Sequence, residues 1–485
     1  MSKWLEWERQ ATVHSIVMCI EAWTEPVKRE YGKPWPTIIA IYNKDIVSWY
    51  DPWDELLGYG QYAINRFVKG EERDKLIHDI NKRANELDKL FEKFEKIDFD
   101  KLTDNELELR YRQLYDGYVS WFVPGGLVEP VGHQSEQLLR ELLENKLRDE
   151  SRSEFPSFEE LFSVLTTTTL ESFSKRQLLD LLKIASRKNI GEEITIELEE
   201  HAKKYFWLSN NYYSTEILDL EFFENELKTV MKDYPNPQKQ IVDMEKDAAD
   251  FRLKKNQLVK QMALDDFNTQ LIELVNFFGY YSDYRKEYVM KMLHFLDLIL
   301  AEIGKRRGFS LKQMKYTLPE EIASIIDNDG SFKPDIIEKR MERFLYHVDS
   351  KTGKVEHGFG NWSFEKQKEI FGLKVDHNVL EVSGMVASRG SVIGRARVTM
   401  SATKANEIGE GEILITSMTS PDFVPAMKKA LAIVTNEGGI LCHAAVVSRE
   451  FGIPCIVGTK IATKIFKTGD RIEVDGELGI VRKVS

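Results

Sequence analysis

The chain is poor in cysteine, with three in 485 residues. Cys19, Cys442 and Cys455 show no C-x-x-C spacing, which excludes a disulfide framework and a cysteine zinc site. A reducing cytoplasm is the expected compartment, and no metal site is expected. Long apolar runs are missing too: nothing approaches the roughly 20 residues that a membrane-spanning helix needs. The N-terminus, Met1-Ser2-Lys3-Trp4-Leu5-Glu6-Trp7-Glu8, lacks the apolar core of a signal peptide. Net positive charge is absent. The formal charge is −12, with lysines scattered among acids, so neither nucleic acid nor a membrane is an expected partner. No repeat of fixed period is evident.

What is present suits a soluble protein of several domains, 42% hydrophobic and 30% charged. The pattern predicts a multidomain chain: a mostly α-helical N-terminal and central region, followed by a compact α/β domain. Residues 1–110 form an aromatic-rich, mainly helical region holding Trp4, Trp7, Trp23, Trp35, Trp49 and Trp53. Within it, Leu76, Ile80, Ala84, Leu87, Phe91 and Phe94 recur at steps of three and four, which predicts an amphipathic helix over 71–97. Residues 111–372 form a second helical region. Thr103 with Glu106, Ser157 with Glu160 and Thr317 with Glu320 have the spacing of capping boxes. Residues 284–303 are apolar on nearly every face, as in a helix buried within a bundle. A turn is expected at 349–354, flexible chain at 358–360, and a linker at 373–382. From 383 to 485 the texture changes. Short β-rich runs at 396–399, 412–416, 431–434, 455–457, 471–474 and 479–481 alternate with turns, and a short helix is expected near Pro425.

The most informative stretch lies inside that last domain. A strand-like run leads into Gly438-Gly439-Ile440-Leu441-Cys442-His443-Ala444-Ala445, and a helical pattern then runs to Glu450 and stops at Gly452. A histidine at a helix start sits beside unpaired backbone N–H groups and the positive end of the helix dipole, which favours a phosphate nearby. Imidazole has an ordinary pKa of about 6.5, so much of it is neutral and nucleophilic near pH 7. His443 is the candidate nucleophile and phosphoryl carrier. Gly438 and Gly439, lacking Cβ, allow close approach of backbone to a phosphate and positive φ. The amides of Ala444 and Ala445 are candidate phosphate donors.

The third region resembles the phosphohistidine swivelling domain of the phosphoenolpyruvate-utilising enzymes, a group that includes phosphoenolpyruvate synthase, pyruvate phosphate dikinase and rifampicin phosphotransferase. The matching residues include Gly390 and Gly394, Gly411-Glu412-Ile413-Leu414, Met418-Thr419-Ser420-Pro421-Asp422, the glycine–histidine loop, Ser448-Arg449-Glu450, Gly452-Ile453-Pro454 and Val474-Asp475-Gly476. Weaker matches at Tyr284-Arg285-Lys286-Glu287 and Leu318-Pro319-Glu320-Glu321 look like the central helical domain of the rifampicin phosphotransferase type. Leu441 stands where the dikinases have a regulatory threonine, so that control is not expected. No glycine-rich nucleotide loop appears among the helices, and no barrel follows the last domain before Ser485.

The resemblance therefore implies one subunit of a split phosphotransferase, similar in layout to phenylphosphate synthase. A separate ATP-grasp subunit would supply ATP and Mg2+, none being bound tightly by this chain. His443 would pass the phosphoryl group to a small-molecule acceptor held by the helical region. The implied overall reaction is ATP + acceptor + water → phosphorylated acceptor + AMP + phosphate. Two other readings stay open: a non-catalytic adaptor or sensor that keeps the fold, and a phosphocarrier driven by phosphoenolpyruvate.

Several residues have two readings each. Cys442 is a thiol activated by the helix start or a small packing residue. Arg449 is a phosphate contact or a helix C-terminal arginine pairing locally. His133 follows Pro124-Gly125-Gly126 and Pro130-Val131-Gly132, a break that lines an acceptor pocket or is a plain loop. Arg285 binds an anion or forms a structural ion pair. His294 is expected in the core. The early tryptophans stack on a flat acceptor or pack a core.

Overall fold

The computed structural model describes residues 4–149, 155–371, 381–440 and 442–484. It is mostly helical, with an α/β region at the C-terminal end. The N-terminal region also carries a sheet that the helical expectation for 1–110 did not include. Strands β1 (Trp4–Gln10), β2 (Ile38–Asn43), β3 (Ile46–Pro52), β4 (Arg343–Val348) and β5 (Val355–Phe359) form an antiparallel sheet in the order β1-β3-β2-β4-β5. The β2–β3 hairpin turns at Lys44, which has φ of 56°, without the Asn-Gly or Asp-Gly signal that marks a tight hairpin. Strand β2 reads as an unbroken apolar run because both its faces are covered. Ile38, Ala40 and Tyr42 enter the main core. Ile39 and Ile41 join Leu345 on the other face, under Ile370 and Phe371 of the helix Asn361–Phe371. Gly358 and Phe359, expected to be flexible, pair with β4.

The helices follow their periodicity closely. The amphipathic helix spans Gly70–Phe94, and all six spaced apolar residues are buried. Thr103 and Glu106 form a full capping box on the helix Asp104–Gly125, and Ser157 caps the next predicted start by accepting from the Glu160 amide. The third cap is displaced by one residue: Glu321 accepts from the Leu318 amide at 2.8 Å, while the Thr317 hydroxyl turns back to the Met314 carbonyl. The stretch 284–303 belongs to a 42-residue helix, Asp266–Arg307, about 63 Å long at 1.5 Å per residue. Asp265 caps its start and Gly308, in the left-handed region, ends it. It runs through the middle of the helical assembly, with Val289, Met292, Ile299 and Leu300 fully buried and with Asp283, Arg285, Glu287 and Asp297 buried among them. Of the expected linker, residues 373–380 lie outside the described residues, and Glu381 and Val382 begin β6.

The C-terminal α/β region is built on strands β6 (Glu381–Ser383), β7 (Met385–Ser388), β8 (Ser391–Val398), β9 (Glu412–Thr416), β10 (Ala432–Thr435), β11 (Cys455–Val457), β12 (Arg471–Asp475) and β13 (Ile480–Lys483). Their order is β6-β13-β12-β8-β9-β10-β11-β7, with the central β8-β9-β10-β11 parallel. Side chains alternate between two cores, as a strand buried on both faces requires. Leu414, Ile433, Cys455 and Val457 pack with Met427, Ala445 and Val447. Ile413, Ile415, Val434 and Ile456 pack with Phe466 and Ile472 on the other side. The helix near Pro425 runs Val424–Lys429.

This region is seated on the helical part through scattered polar contacts. The Glu8 amide donates to Ser417 Oγ (2.7 Å), Asn211 to Asp422 (2.6 Å), Ser172 to Glu450 (2.7 Å) and Lys464 to Glu6 (2.8 Å).

A buried ion pair closes the turn ahead of β4. Arg340, 3% exposed, grips both carboxylate oxygens of Glu321 at 2.6 Å. Glu321→Ala leaves that guanidinium uncompensated and should cost about 3 kcal/mol. The double variant Glu321→Leu, Arg340→Met should lose clearly less. Thermal unfolding followed by circular dichroism checks both.

Candidate functional site

The parallel strands place the site. Ligands of open α/β sheets gather beyond the carboxyl ends of the strands. Here β9 leads into Met418-Thr419-Ser420, and β10 leads through Glu437, Gly438 and Gly439 to His443. His443 is the first residue of the helix His443–Phe451, with Cys442 at its N-cap in extended conformation. Gly438 has φ of 101°, and a Cβ there would lie 2.5 Å from the Cys442 sulfur, so the tight loop requires glycine. Gly439 does not adopt positive φ.

The His443 side chain is 3% exposed. Its Nδ1 is 2.7 Å from Thr419 Oγ1, and its ring lies nearly parallel to Phe173 at 6.0 Å. Nε2 is buried with no hydrogen-bond partner. Burial first, then the nearby charges of Lys286 and Arg9, holds the imidazole pKa well below its ordinary 6.5. The ring is therefore neutral. With two cations close by, the favoured tautomer places its proton on Nδ1, donating to Thr419, and its lone pair on Nε2.

His443 lines a recessed cavity of about 150 Å³ between the C-terminal region and the helical part. Trp7, Trp23, Trp35, Trp49, Phe122 and Tyr212 supply most of its wall. Among the described residues, neither Arg9 nor Lys286 makes a side-chain hydrogen bond or ion pair. The Arg9 guanidinium lies 4.5 Å from the Tyr212 ring and 5.4 Å from the Trp7 ring. Burial lowers the Lys286 pKa to about 8 against the opposing pull of Asp283. Three carboxyls also line the cavity, Glu129 being paired with Arg285. Asp51 accepts from the Trp49 indole at 2.9 Å, and Glu437 has a buried oxygen without a partner. Burial raises both well above the ordinary carboxylate range.

The structure brings several sequence candidates to this one cavity: His443, Gly438, Gly439, Cys442, Ala444, His133 and Arg285 all line it. His133 is not on a loop; it lies on the helix Val128–Asp149 and packs edge-on to Trp53 at 5.2 Å. Burial lowers its pKa to about 4, so it is neutral. Arg285 touches the cavity, but its guanidinium is committed to Glu129 (2.8 Å) and to the Gly125 carbonyl (2.6 Å). The ion-pair reading holds for it, and the free cation is its neighbour Lys286.

Other candidates point elsewhere. Arg449 does not line this cavity: it donates to the carbonyls of Ile440 (2.7 Å) and Ala387 (3.3 Å), bracing the loop from behind. Ala445 is fully buried in the domain core, so it offers no surface to a partner. Burial raises the Cys442 thiol pKa despite the Ala444 and Ala445 amides, which favour the thiolate. Cys442 is thus a packing residue. His294 packs against Phe206 and Phe295. Leu441 lies outside the described residues. Among the described residues no cluster of three or more His, Cys, Asp or Glu could hold a metal ion, and no helix is long and apolar enough to cross a membrane.

Reading the sequence missed Arg9, Asp51, Lys286, Thr419 and Glu437. Thr419 and Lys286 lie inside stretches that carry the family resemblance, which was the one signal available for them. Arg9 and Asp51 lie on β1 and β3 of the unforeseen sheet.

Comparison with known proteins agrees with this geometry. Residues 408–479 match the family described as PEP-utilising enzyme, mobile domain. Over 176 residues the chain is 53% identical to phosphoenolpyruvate synthase of Pyrococcus furiosus, a stretch covering 31% of this chain and 22% of that enzyme. Over 100 residues it is 55% identical to a probable phosphoenolpyruvate synthase of Archaeoglobus fulgidus, covering 21% and 13% respectively. A solved structure, the holo-form of Thermococcus kodakaraensis aconitase X, matches 22% of this chain at 20% identity with a TM-score of 0.19, too low to bear on the fold. The C-terminal region is thus similar to the mobile domain of the phosphoenolpyruvate-utilising enzymes. The chain spans only 13–22% of the length of these two curated relatives.

Phosphate held beside His443 would depend on the Lys286 charge. Because the Lys286 pKa is lowered to about 8, its ammonium is present below that pH and lost above it. Binding of inorganic phosphate in this cavity should therefore weaken above about pH 8, with Lys286→Arg carrying that limb upward. A phosphate titration followed by calorimetry across pH 6 to 10 checks this.

Proposed function

We propose that this chain is a phosphotransferase subunit in which His443 Nε2 carries a phosphoryl group to a small acceptor in the aromatic cavity. The observation that carries the proposal is the buried, partnerless Nε2 beside the uncommitted cations of Arg9 and Lys286. A neutral imidazole lone pair is the nucleophile such a carrier needs, and two fixed cations in a poorly solvated cavity suit the charge of a phosphoryl group.

In the transfer half-reaction the acceptor oxygen attacks phosphorus and the P–Nε2 bond breaks. Its electron pair returns to Nε2, and the acceptor's hydroxyl proton passes to a base in the cavity. Thr419 keeps the ring oriented throughout. Arg9 and Lys286 hold the equatorial oxygens as charge redistributes.

The conformation described here is the acceptor-facing one, since His443 is closed off from solvent. Charging then requires the mobile domain to leave this seat and meet a nucleotide-binding partner of the ATP-grasp kind, which would supply ATP and Mg2+. The scattered single hydrogen bonds between the two parts suit such release. The similarity to phosphoenolpyruvate synthases supports a phosphohistidine route, and the opposed cations and free nitrogen give an adaptor no evident use.

With a competent donor present, His443→Ala should take up no acid-labile phosphate. Arg9→Ala and Lys286→Ala should be labelled normally at His443 yet deliver the group roughly 10²–10³-fold more slowly. Normal labelling of His443→Ala would refute the carrier role. Full-rate transfer by both cation variants would move the acceptor site elsewhere.

A further inference from the structure

Strand β1 is an edge of the N-terminal sheet, pairing with β3 alone among the described strands. The C-terminal region sits against that edge. The Glu8 amide donates to Ser417 Oγ at 2.7 Å, and Lys464 reaches Glu6 at 2.8 Å. The same seat encloses Glu437. Its own amide donates to the Ser417 carbonyl at 2.9 Å, so its backbone is one hydrogen bond away from the residue that meets β1. Glu437 is 5% exposed. One of its carboxyl oxygens is buried without a partner. Among the described residues no cation pairs with it.

The charges around Glu437 are of the wrong sign for a carboxylate. Glu6 and Glu8 of β1 and Asp51 of β3 all bring negative charge to it. The cation on that side, Lys464, is taken by Glu6. Glu8 accepts from Ser48 at 2.7 Å and Glu6 from the Tyr50 hydroxyl at 2.8 Å. Across the cavity, Arg9 lies over Tyr212 and Trp7, Arg285 is paired with Glu129, and burial keeps His133 and His443 neutral. Lys286 lies on the central helix under the pull of Asp283. An ionised Glu437 in this seat has lost its water and gained no partner. Burial and the like charges both favour its neutral acid. When the two parts separate, the cavity opens, and Glu437 regains water and an ordinary pKa of about 4.3.

We propose that seating of the C-terminal region is coupled to protonation of Glu437, which takes up one proton from solvent as the cavity closes and returns it as the region leaves. The proposal rests on the departure from this seat invoked for charging His443, and adds what controls it. Because the closed-state pKa of Glu437 is raised, its support for closure is complete below about 4.3 and is lost as pH rises toward the raised value. Within that window each pH unit weakens closure up to about tenfold. His443 acts in the opposite sense. Its pKa is lowered in the seat, so closure expels an imidazolium proton below about pH 6.5. There the two cancel, the proton leaving His443 as one arrives on Glu437. Asp51 is raised likewise. Asp422 and Glu450 meet Asn211 (2.6 Å) and Ser172 (2.7 Å) across the same junction. Burial raises them to about 6 and about 7, and these three add in the direction of Glu437. Lys286, lowered to about 8, sheds its proton above that pH. The coupling is therefore read between about pH 6.5 and 8, as a difference between wild type and a Glu437 variant.

The test follows opening of the full-length, unphosphorylated chain over that range. Acrylamide quenching of tryptophan fluorescence reads access to the cavity, whose walls include Trp7, Trp23, Trp35 and Trp49. Small-angle X-ray scattering reads separation of the two parts. In the wild type both signals should grow with pH, the open-to-closed ratio rising at least about fivefold. Glu437→Gln keeps the shape of the neutral acid without its titration, and its rise should be at least about threefold smaller. Glu8→Gln removes one repelling neighbour and should reduce the rise as well, with circular dichroism confirming the fold of both. Parallel opening of all three proteins would overturn the coupling and leave the carrier role of His443 intact. A chain closed at every pH would overturn both the coupling and the departure, and acid-labile phosphate on its His443 would then decide the carrier role separately.

Discussion

The contact between Thr419 and His443 Nδ1 sets the geometry of the candidate site. It joins two loops at the carboxyl ends of neighbouring parallel strands, so its length is set by the sheet and not by either loop alone. Tying Nδ1 fixes the ring plane and leaves Nε2 as the free atom. Burial keeps the ring neutral, and the surrounding cations discourage a proton on Nε2. Nε2 is left as an unsatisfied buried group, of a kind that an ordinary core avoids and that functional sites retain.

The rest of the structure serves that atom by enclosing it. The C-terminal region contributes the imidazole, Thr419 and the glycine loop. The long central helix contributes Lys286, and β1 contributes Arg9, whose guanidinium is held against two aromatic rings. The wall of indoles comes from the first strands and the helices packed on them. No single element holds the site; it exists only where the two parts meet. The contacts between the parts include single hydrogen bonds such as Asn211 to Asp422 and Ser172 to Glu450, each worth about 1 kcal/mol net, two exposed or half-buried ion pairs, Lys464–Glu6 and Arg389–Glu159, and the packing of Ile440 into the helical core. An interface of that kind closes a cavity without locking it.

Much of the helical scaffold was legible in the sequence because its signals are local. The spaced apolar residues from Leu76 to Phe94 and the cap at Thr103 depend on neighbours three or four positions away. His443 was legible for a similar reason, since glycines, an N-cap and a helix start fall within eight residues. The N-terminal sheet was not. Its β4 and β5 come from the far end of the helical region, β2 is apolar on both faces and so shows no alternation, and its hairpin turns on a lysine. Missing that sheet meant missing Arg9 and Asp51, which acquire meaning only when strand pairing aligns them with Trp7 and Trp49. Arg285 and Lys286 show the finer limit: adjacent residues on one helix point to different partners, and sequence alone favoured the one that proves to be neutralised by Glu129.

The most direct measurement of the central claim is the position of the phosphoryl group on the His443 ring. The chain is incubated with ATP and a candidate nucleotide-binding donor protein, kept alkaline to preserve any N–P bond, and the phosphohistidine isomer is read by nuclear magnetic resonance and tandem mass spectrometry. Phosphate on Nε2 of His443 is the predicted result. Phosphate on Nδ1, or on any other residue with His443 unmodified, would contradict the account.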